Sequence, residues 1–71
     1  MIGSLIEFTN QLSKEKALGM IVGISKHSKN NPWCCFDIDF YSPAGYTVSG
    51  HRIRPSVSEV LHNTKAFRVI S

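Results

Sequence analysis

The alternation of hydrophobic and polar positions is clearest in residues 33–41, which read WCCFDIDFY. One set of alternating side chains comprises Cys34, Phe36, Ile38 and Phe40, and the other comprises Trp33, Cys35, Asp37, Asp39 and Tyr41. Alternation of this length is typical of a strand with one buried face and one exposed face. We therefore predict a half-buried strand in which the first set faces the core, so that Cys34 is buried and Cys35 lies at the surface.

Four other segments show the pattern of short strands, and these are residues 2–8, 17–25, 46–48 and 66–70. In the second of them, Gly19 and Gly23 lack side chains and permit sharp curvature. In the last, Phe67 and Val69 are predicted to face inward. The polar connection between the first two segments is predicted to be a loop with Leu12 turned toward the core. Together with the central segment, these patterns predict five strands.

A short helix is predicted immediately before the last strand. Ser56 and Glu59 have the spacing of a capping box, in which each side chain satisfies a backbone N–H of the other residue. The apolar residues that follow the cap lie on one side of such a helix. We expect one or two helical turns from Val57 to about His62, ended near Asn63.

Three segments are similar to motifs of a known group of proteins: Gly3-Ser4-Leu5-Ile6 near the start, LGMIVGI at residues 18–24, and FRVI at residues 67–70. With a helical turn ahead of the last strand, this pattern resembles the small SH3-like β-barrel proteins of tailed bacteriophages. The resemblance to the KOW-type barrels of transcription and ribosomal proteins is more distant. The resemblance to the phage proteins implies a mainly β, five-stranded SH3-like small barrel that forms a single domain over residues 1–71. It also implies a bacteriophage origin and a non-enzymatic role.

Composition agrees with a small globular domain. The 71 residues are 42% hydrophobic and 18% charged, which allows a core but leaves no room for a second domain. The net charge of +3 favours acidic partners without being diagnostic of nucleic-acid binding.

Two cysteines in this arrangement fit a reducing compartment, and we find neither a secretory signal nor an apolar stretch of membrane-spanning length. We therefore expect the protein in the host-cell cytoplasm or the virion, with no membrane partner.

Paired carboxylates are the first candidates for chemistry. Asp37 and Asp39 lie two residues apart on one face of the central strand, and such pairs bind divalent metals or divide acid and base roles. A metal site would require further oxygen ligands, and none is close in sequence. The more frequent role of such residues is to solubilise an exposed strand and to meet Lys or Arg from a neighbouring one. We favour this second role.

A thiol–imidazole pair is the other candidate for chemistry. It would join Cys35 to His27, His51 or His62, but no family signature surrounds the cysteine. Zinc would require about four ligands, and neither a C-x-x-C nor an H-x-x-x-H spacing occurs. We therefore expect no enzyme activity, no metal, no cofactor and no small-molecule substrate.

Exposed aromatic and charged residues favour a binding role instead. The predicted protein-binding residues are Trp33, Asp37, Asp39, Tyr41, Arg52 and Arg54. Trp, Tyr and Arg are enriched among the residues that anchor protein interfaces. The partner is expected to be a virion component, a host factor or a second copy of the chain.

Nucleic-acid binding is the alternative function. Its predicted residues are Lys26, Lys29, Arg52 and Arg54, which would contact phosphates while exposed aromatics stack on bases. Asp37 and Asp39 weaken this alternative, because they place negative charge on the strand face that carries Trp33 and Tyr41. Protein binding is therefore the first hypothesis.

Overall fold

A single antiparallel sheet organises the chain. The computed structural model describes the backbone of residues 1–71 and the side chains of all residues except 27, 31 and 32. Its elements are β1 (Leu5–Thr9), β2 (Lys16–Ser28), β3 (Asn31–Ser42), α1 (Val57–His62) and β4 (Phe67–Val69). The strands lie in the order β3-β2-β1-β4. The predicted mainly β class is confirmed, whereas the sheet is open and has four strands.

The predicted fourth strand at residues 46–48 is wrong. Among the described residues, this segment forms only one isolated bridge, which joins Val48 to His51. Ser49 and Gly50 both have positive φ angles (53° and 78°), so the chain turns immediately after Val48. The extended stretch between the two turns is too short to form a ladder along β3.

Tyr46 packs against the core and is not part of a strand. Its ring lies 5.6 Å from that of Phe40 in an edge-on arrangement and 6.1 Å from that of Phe8. Aromatic pairs at these separations and tilts attract one another beyond the area that they bury. The segment that the alternation pattern assigned to a strand is therefore held mainly by one side chain.

The core lies on one face of the sheet and beneath α1. Its buried members are Ile6, Ala17, Ile21, Phe36, Ile38, Phe40, Val60, Ala66 and Phe67. The prediction that Phe36, Ile38 and Phe40 face inward is confirmed. Val69 and Leu12 were predicted to face inward and are exposed. Val69 lies on a three-residue edge strand, and Leu12 is 96% exposed at the tip of the β1–β2 loop.

The predicted burial of the two cysteines is wrong, since Cys34 is exposed and Cys35 is buried. Alternation along β3 still places Cys34 on the face of Phe36, but the β2–β3 hairpin extends beyond the core at this end, where Trp33 is also exposed. The chain from Pro55 to Ser56 lies along the edge of β3 here, on the side away from β2. The Phe36 backbone N–H donates to the Pro55 carbonyl oxygen (2.9 Å), and Cys35 forms a bridge with Ser56.

The prediction of a short helix before the last strand is confirmed. The Ser56 side chain accepts a hydrogen bond from the Glu59 backbone N–H at 3.0 Å, as an N-cap does. Val60 is buried against the core, and the Asn63 N–H donates to the Glu59 carbonyl oxygen where the helix ends. The sequence predicted both ends because caps are formed by residues adjacent to the helix.

The close approach of β2 to β3 at Gly19 gives a prediction for stability. A Cβ atom at Gly19 would lie 2.8 Å from Ile38 Cγ2 and 3.0 Å from the Asp39 backbone oxygen. Gly19→Ala is therefore expected to lower the free energy of unfolding by about 1–3 kcal/mol, because the added methyl group overpacks this crossing. Urea unfolding measures the change.

Gly23→Ala is the matched control on the same strand. A Cβ atom at Gly23 would lie 3.4 Å from Asp37 Oδ2 and 3.9 Å from Asp37 Cβ, which are ordinary contact distances. Its effect is expected to stay within about 0.5 kcal/mol. Equal losses in the two variants would contradict the close packing at Gly19.

Candidate functional site

An open groove of about 780 Å³ lies between α1 and the start of β3. It is lined by Trp33, Cys34, Ser56, Val57, Ser58, Leu61 and His62. Most of these side chains present carbon atoms. The groove exists because the β2–β3 hairpin extends past the core and α1 is held beside it by the pairing of Pro55 and Ser56 with β3.

The largest apolar side chains of the groove are not covered by the rest of the chain. Trp33 is 54% exposed and Leu61 is 51% exposed. Leu61 is exposed because α1 uses Val60 to contact the core, which leaves the next position on another side of the helix. Val57 lies one turn before Leu61 and is partly buried against the core. The helix therefore presents an apolar strip to the groove opposite Trp33.

His62 is held in a defined orientation on the same helix. Its Nδ1 lies 3.0 Å from the Ser58 carbonyl oxygen and 3.3 Å from Ser58 Oγ. A carbonyl oxygen only accepts, so the contact with it assigns a hydrogen to Nδ1 and leaves Nε2 as the acceptor of the neutral ring. His62 therefore lies along the groove as a polar neighbour of its apolar strip.

The thiol–imidazole pair that was considered and not favoured would have used an exposed Cys35, whereas Cys35 is buried. Of the three histidines considered for it, the side chain of His27 lies outside the described residues. His51 belongs to the turn after Val48, and His62 lines the groove with the other cysteine, Cys34. Among the described side chains, we find no group of three or more His, Cys, Asp or Glu that could hold a metal ion.

A second cluster ties Asp37 to Arg54. The Arg54 Nε lies 3.5 Å from Asp37 Oδ1, and the Ser25 hydroxyl donates to the same oxygen at 3.3 Å. Arg54 Nη2 also donates to Ser25 Oγ (2.7 Å) and to the Lys26 carbonyl oxygen (3.1 Å). These bonds fasten the segment before α1 to β2, and they neutralise one of the two aspartates. Asp37 thus has the structural role that the sequence favoured.

The predicted protein-binding residues do not form one patch. Trp33 lines the groove, Asp37 and Arg54 form the ion pair, and Arg52 is exposed in the preceding segment. Tyr41 lies eight residues from Trp33 along β3, up to about 27 Å away at the rise of an extended strand. Of the six residues, Trp33 is the one that the structure places in a concave site.

Of the basic residues of the alternative function, Arg54 contacts the backbone of Lys26 and not its ammonium group. Arg54 donates to the Lys26 carbonyl oxygen, whereas the Lys26 side chain shares a face with Cys34, which lies directly across from it in the β2–β3 register. Lys29 is exposed in the hairpin turn, and Arg52 is exposed two residues before Arg54. One of the four cations, Arg54, is already paired with a carboxylate.

Sequence reasoning missed the helical half of the groove. Val57 and Leu61 were treated as one apolar side of α1 together with Val60. Residues four apart lie on the same helix face, and Val60 lies about 100° around the helix from Leu61. That spacing was the available signal that Val60 and Leu61 point to different sides of the helix. Only the side with Val60 faces the core.

Comparisons with protein-family models, with curated proteins and with solved structures gave no match to this chain. The sole described helix, α1, has six residues, and no helix in the described part of the chain is long and apolar enough to cross a membrane. The groove and the charges around it are therefore the features that bear on function.

The ion pair gives a prediction that separates the two aspartates. Asp37→Asn is expected to lower the free energy of unfolding by about 0.5–1 kcal/mol, because it weakens a partly exposed contact with Arg54 and its shared hydrogen bond with Ser25. Asp39→Asn is the matched control, since Asp39 is exposed two residues along the same face. It is expected to change stability little.

Urea unfolding in dilute protein, at low and at high salt, measures both variants. The difference between them should shrink at high salt, because exposed ion pairs are screened. If Asp39→Asn is the more damaging change at low salt, the assignment of Asp37 as the structural aspartate is wrong.

Proposed function

We propose that this protein is a non-enzymatic protein-interaction module that binds an apolar segment of another protein in the groove between α1 and β3. The observation that supports it most directly is the exposure of Trp33 and Leu61 on opposite sides of one apolar groove. Trp is among the residues that most often dominate binding energy at protein interfaces. An apolar side chain of the partner in the groove would bury the exposed parts of Trp33 and Leu61.

The surroundings of the groove favour a segment with acidic flanks. Lys26 lies across from Cys34 on the hairpin, so that the two side chains share one face. Lys29 follows in the hairpin turn, and the whole chain carries a net charge of +3. Acidic residues beside an apolar anchor would meet this basic margin, which raises association rates and selects among partners.

The finer fold assignment and the origin belong to the same proposal. We infer an SH3-like small barrel of bacteriophage type. A short helix directly before a last strand that lies beside the first supports this resemblance. The partner is then a virion component or a host factor, and the protein acts in the host-cell cytoplasm or the virion.

The docking proposal is tested with a library of short random peptides selected on the immobilised protein. Selected peptides are expected to combine a large apolar residue with nearby Asp or Glu. Trp33→Ala is expected to raise their Kd by about tenfold or more, since truncation of an anchor commonly costs over 1 kcal/mol. Fluorescence anisotropy measures the Kd.

Tyr41→Ala is the matched control for Trp33→Ala. Tyr41 is an aromatic residue of the same strand with nearly the same exposure, 51%, but it lies outside the groove. The Tyr41 variant should bind the selected peptides like the unchanged chain. Loss of binding in both variants, or in neither, would place the docking surface elsewhere.

Nucleic-acid binding is kept as a second candidate because Lys26 and Lys29 are both exposed at the β2–β3 hairpin of a chain with a net charge of +3. If it is correct, labelled single- or double-stranded oligonucleotides bind at low salt, and the affinity falls steeply as salt rises. Lys26→Ala and Lys29→Ala should each reduce that salt dependence. Absence of binding at low ionic strength excludes this function and leaves the docking proposal untouched.

A further inference from the structure

The face of the sheet opposite the core carries a row of apolar side chains. Leu5 of β1 pairs with Met20 of β2, which in turn pairs with Asp39 of β3. On the other side of β1, the Ile70 backbone N–H donates to the Leu5 carbonyl oxygen at 2.8 Å. Side chains of directly opposed residues share a face. The row therefore runs from Ile70, directly after β4, through Leu5 of β1 and Met20 of β2 to Asp39 of β3.

This row is exposed, although β2 has the composition of a strand that is covered on both sides. Met20 is 39% exposed and Val22 is 51% exposed on this face, and Ile70 is exposed beside them. On the opposite face of β2, Ala17 and Ile21 are buried. Antiparallel strands with one wet face normally alternate apolar and polar residues, whereas continuous apolar runs are typical of strands covered on both faces.

We propose that a second copy of the chain covers this face, so that the protein is a two-fold symmetric dimer packed sheet on sheet. A two-fold axis parallel to the strands places β3 of one copy over β4 of its partner. It also places β2 over β1, which brings the Met20 and Leu5 side chains of the two copies together. Sheets that pack face to face keep their strands within about 30° of each other, which this arrangement satisfies.

The charges at the two ends of the row favour a copy of the chain over an unrelated apolar surface. Asp39 is exposed on edge strand β3, and Arg68 lies on edge strand β4, two residues from Ile70. In the two-fold arrangement, Asp39 of each copy lies within reach of Arg68 of the other. Arg68 already contacts Glu7 at 3.3 Å, but its side chain is 67% exposed and has further N–H donors to offer.

The available area is sufficient for a stable dimer. A standard interface buries about 800 Å² on each partner, which is about one sixth of the 4761 Å² of this chain. The molecule measures 32 × 27 × 21 Å, so its broad face has an area of this order. A domain of 71 residues buries a small share of its surface and gains more than a large one from such covering.

Sedimentation equilibrium of the full chain tests the proposal. The unchanged protein is expected to be dimeric at about 100 μM, since interfaces of standard size have Kd values in the micromolar range or below. Met20→Glu is expected to raise the dimer Kd by about 100-fold, because it places two unpaired charges at the centre of the interface. Trp33→Ala, in the separate groove, should leave the dimer unchanged. A monomeric unchanged protein at this concentration overturns the proposal.

A charge-exchange experiment tests the arrangement without placing a charge in the centre of the interface. Asp39→Arg and Arg68→Glu are both changes at exposed positions, and each alone is expected to raise the dimer Kd by about tenfold or more through like-charge contacts. In a mixture of the two variants, each mixed dimer has one native contact and one reversed contact. Mixed dimers should therefore form with nearly native affinity.

The mixture distinguishes this arrangement from other modes of self-association. If each variant alone stays dimeric, or if mixing restores nothing, then Asp39 does not face Arg68 of the partner and the proposed dimer is wrong. Peptide binding in the groove is measured separately. Failure of the dimer and failure of the docking function are therefore independent results.

Discussion

The pairing of residues 55 and 56 with the edge of β3 is the contact on which the rest of the described structure depends. One backbone hydrogen bond, from Phe36 to Pro55, and the bridge of Cys35 with Ser56 fix where the segment before α1 meets the sheet. From this point, the Ser56 cap starts the helix and Arg54 reaches back to β2. The groove, the buried cysteine and the Asp37 ion pair all lie within a few residues of it.

With α1 held at this edge of β3, apolar surface remains exposed both on the helix and on the far side of the sheet. The core is small, and α1 contributes Val60 to it while Leu61 remains outside. On the other side of the sheet, Met20 and Val22 are exposed on a strand whose opposite face is buried. A domain of this size leaves apolar surface in two places, one concave and one flat. Concave and flat surfaces fit different partners, which is why we assign a peptide segment to the first and a second copy to the second.

Local signals in the sequence predicted the parts of this fold that depend on neighbouring residues. The helix was predicted with its caps because Ser56 and Glu59 are in contact with the turn that they stabilise. The inward direction of Phe36 and Phe40 was predicted because alternation is a property of one strand. The burial of Cys35 was not predictable in this way, since it lies where β3 pairs with Ser56, about twenty residues later in the chain. The strand at residues 46–48 failed because the turn at Ser49 and Gly50 ends it.

The candidate site was predicted only in part, because some of its contacts join residues that are distant in sequence. Trp33 was identified from its place on the strand, but its neighbours on α1 were not, because their position depends on how the helix docks. Asp39, Tyr41 and Arg52 were grouped with Trp33 by chemical type and by strand face. Distance along β3 separates Tyr41 from the groove, and the ion pair removes Asp37 and Arg54 from the set of available charges.

The two adjacent cysteines give the molecule an internal reporter of local opening. A thiol reagent added to the folded chain meets Cys34 at the edge of the groove, whereas Cys35 is buried where β3 pairs with Ser56. Separation of the segment at Ser56 from β3 exposes the second thiol without requiring the rest of the sheet to unfold. The rate at which the second equivalent of reagent is consumed therefore measures how often α1 and the strand come apart.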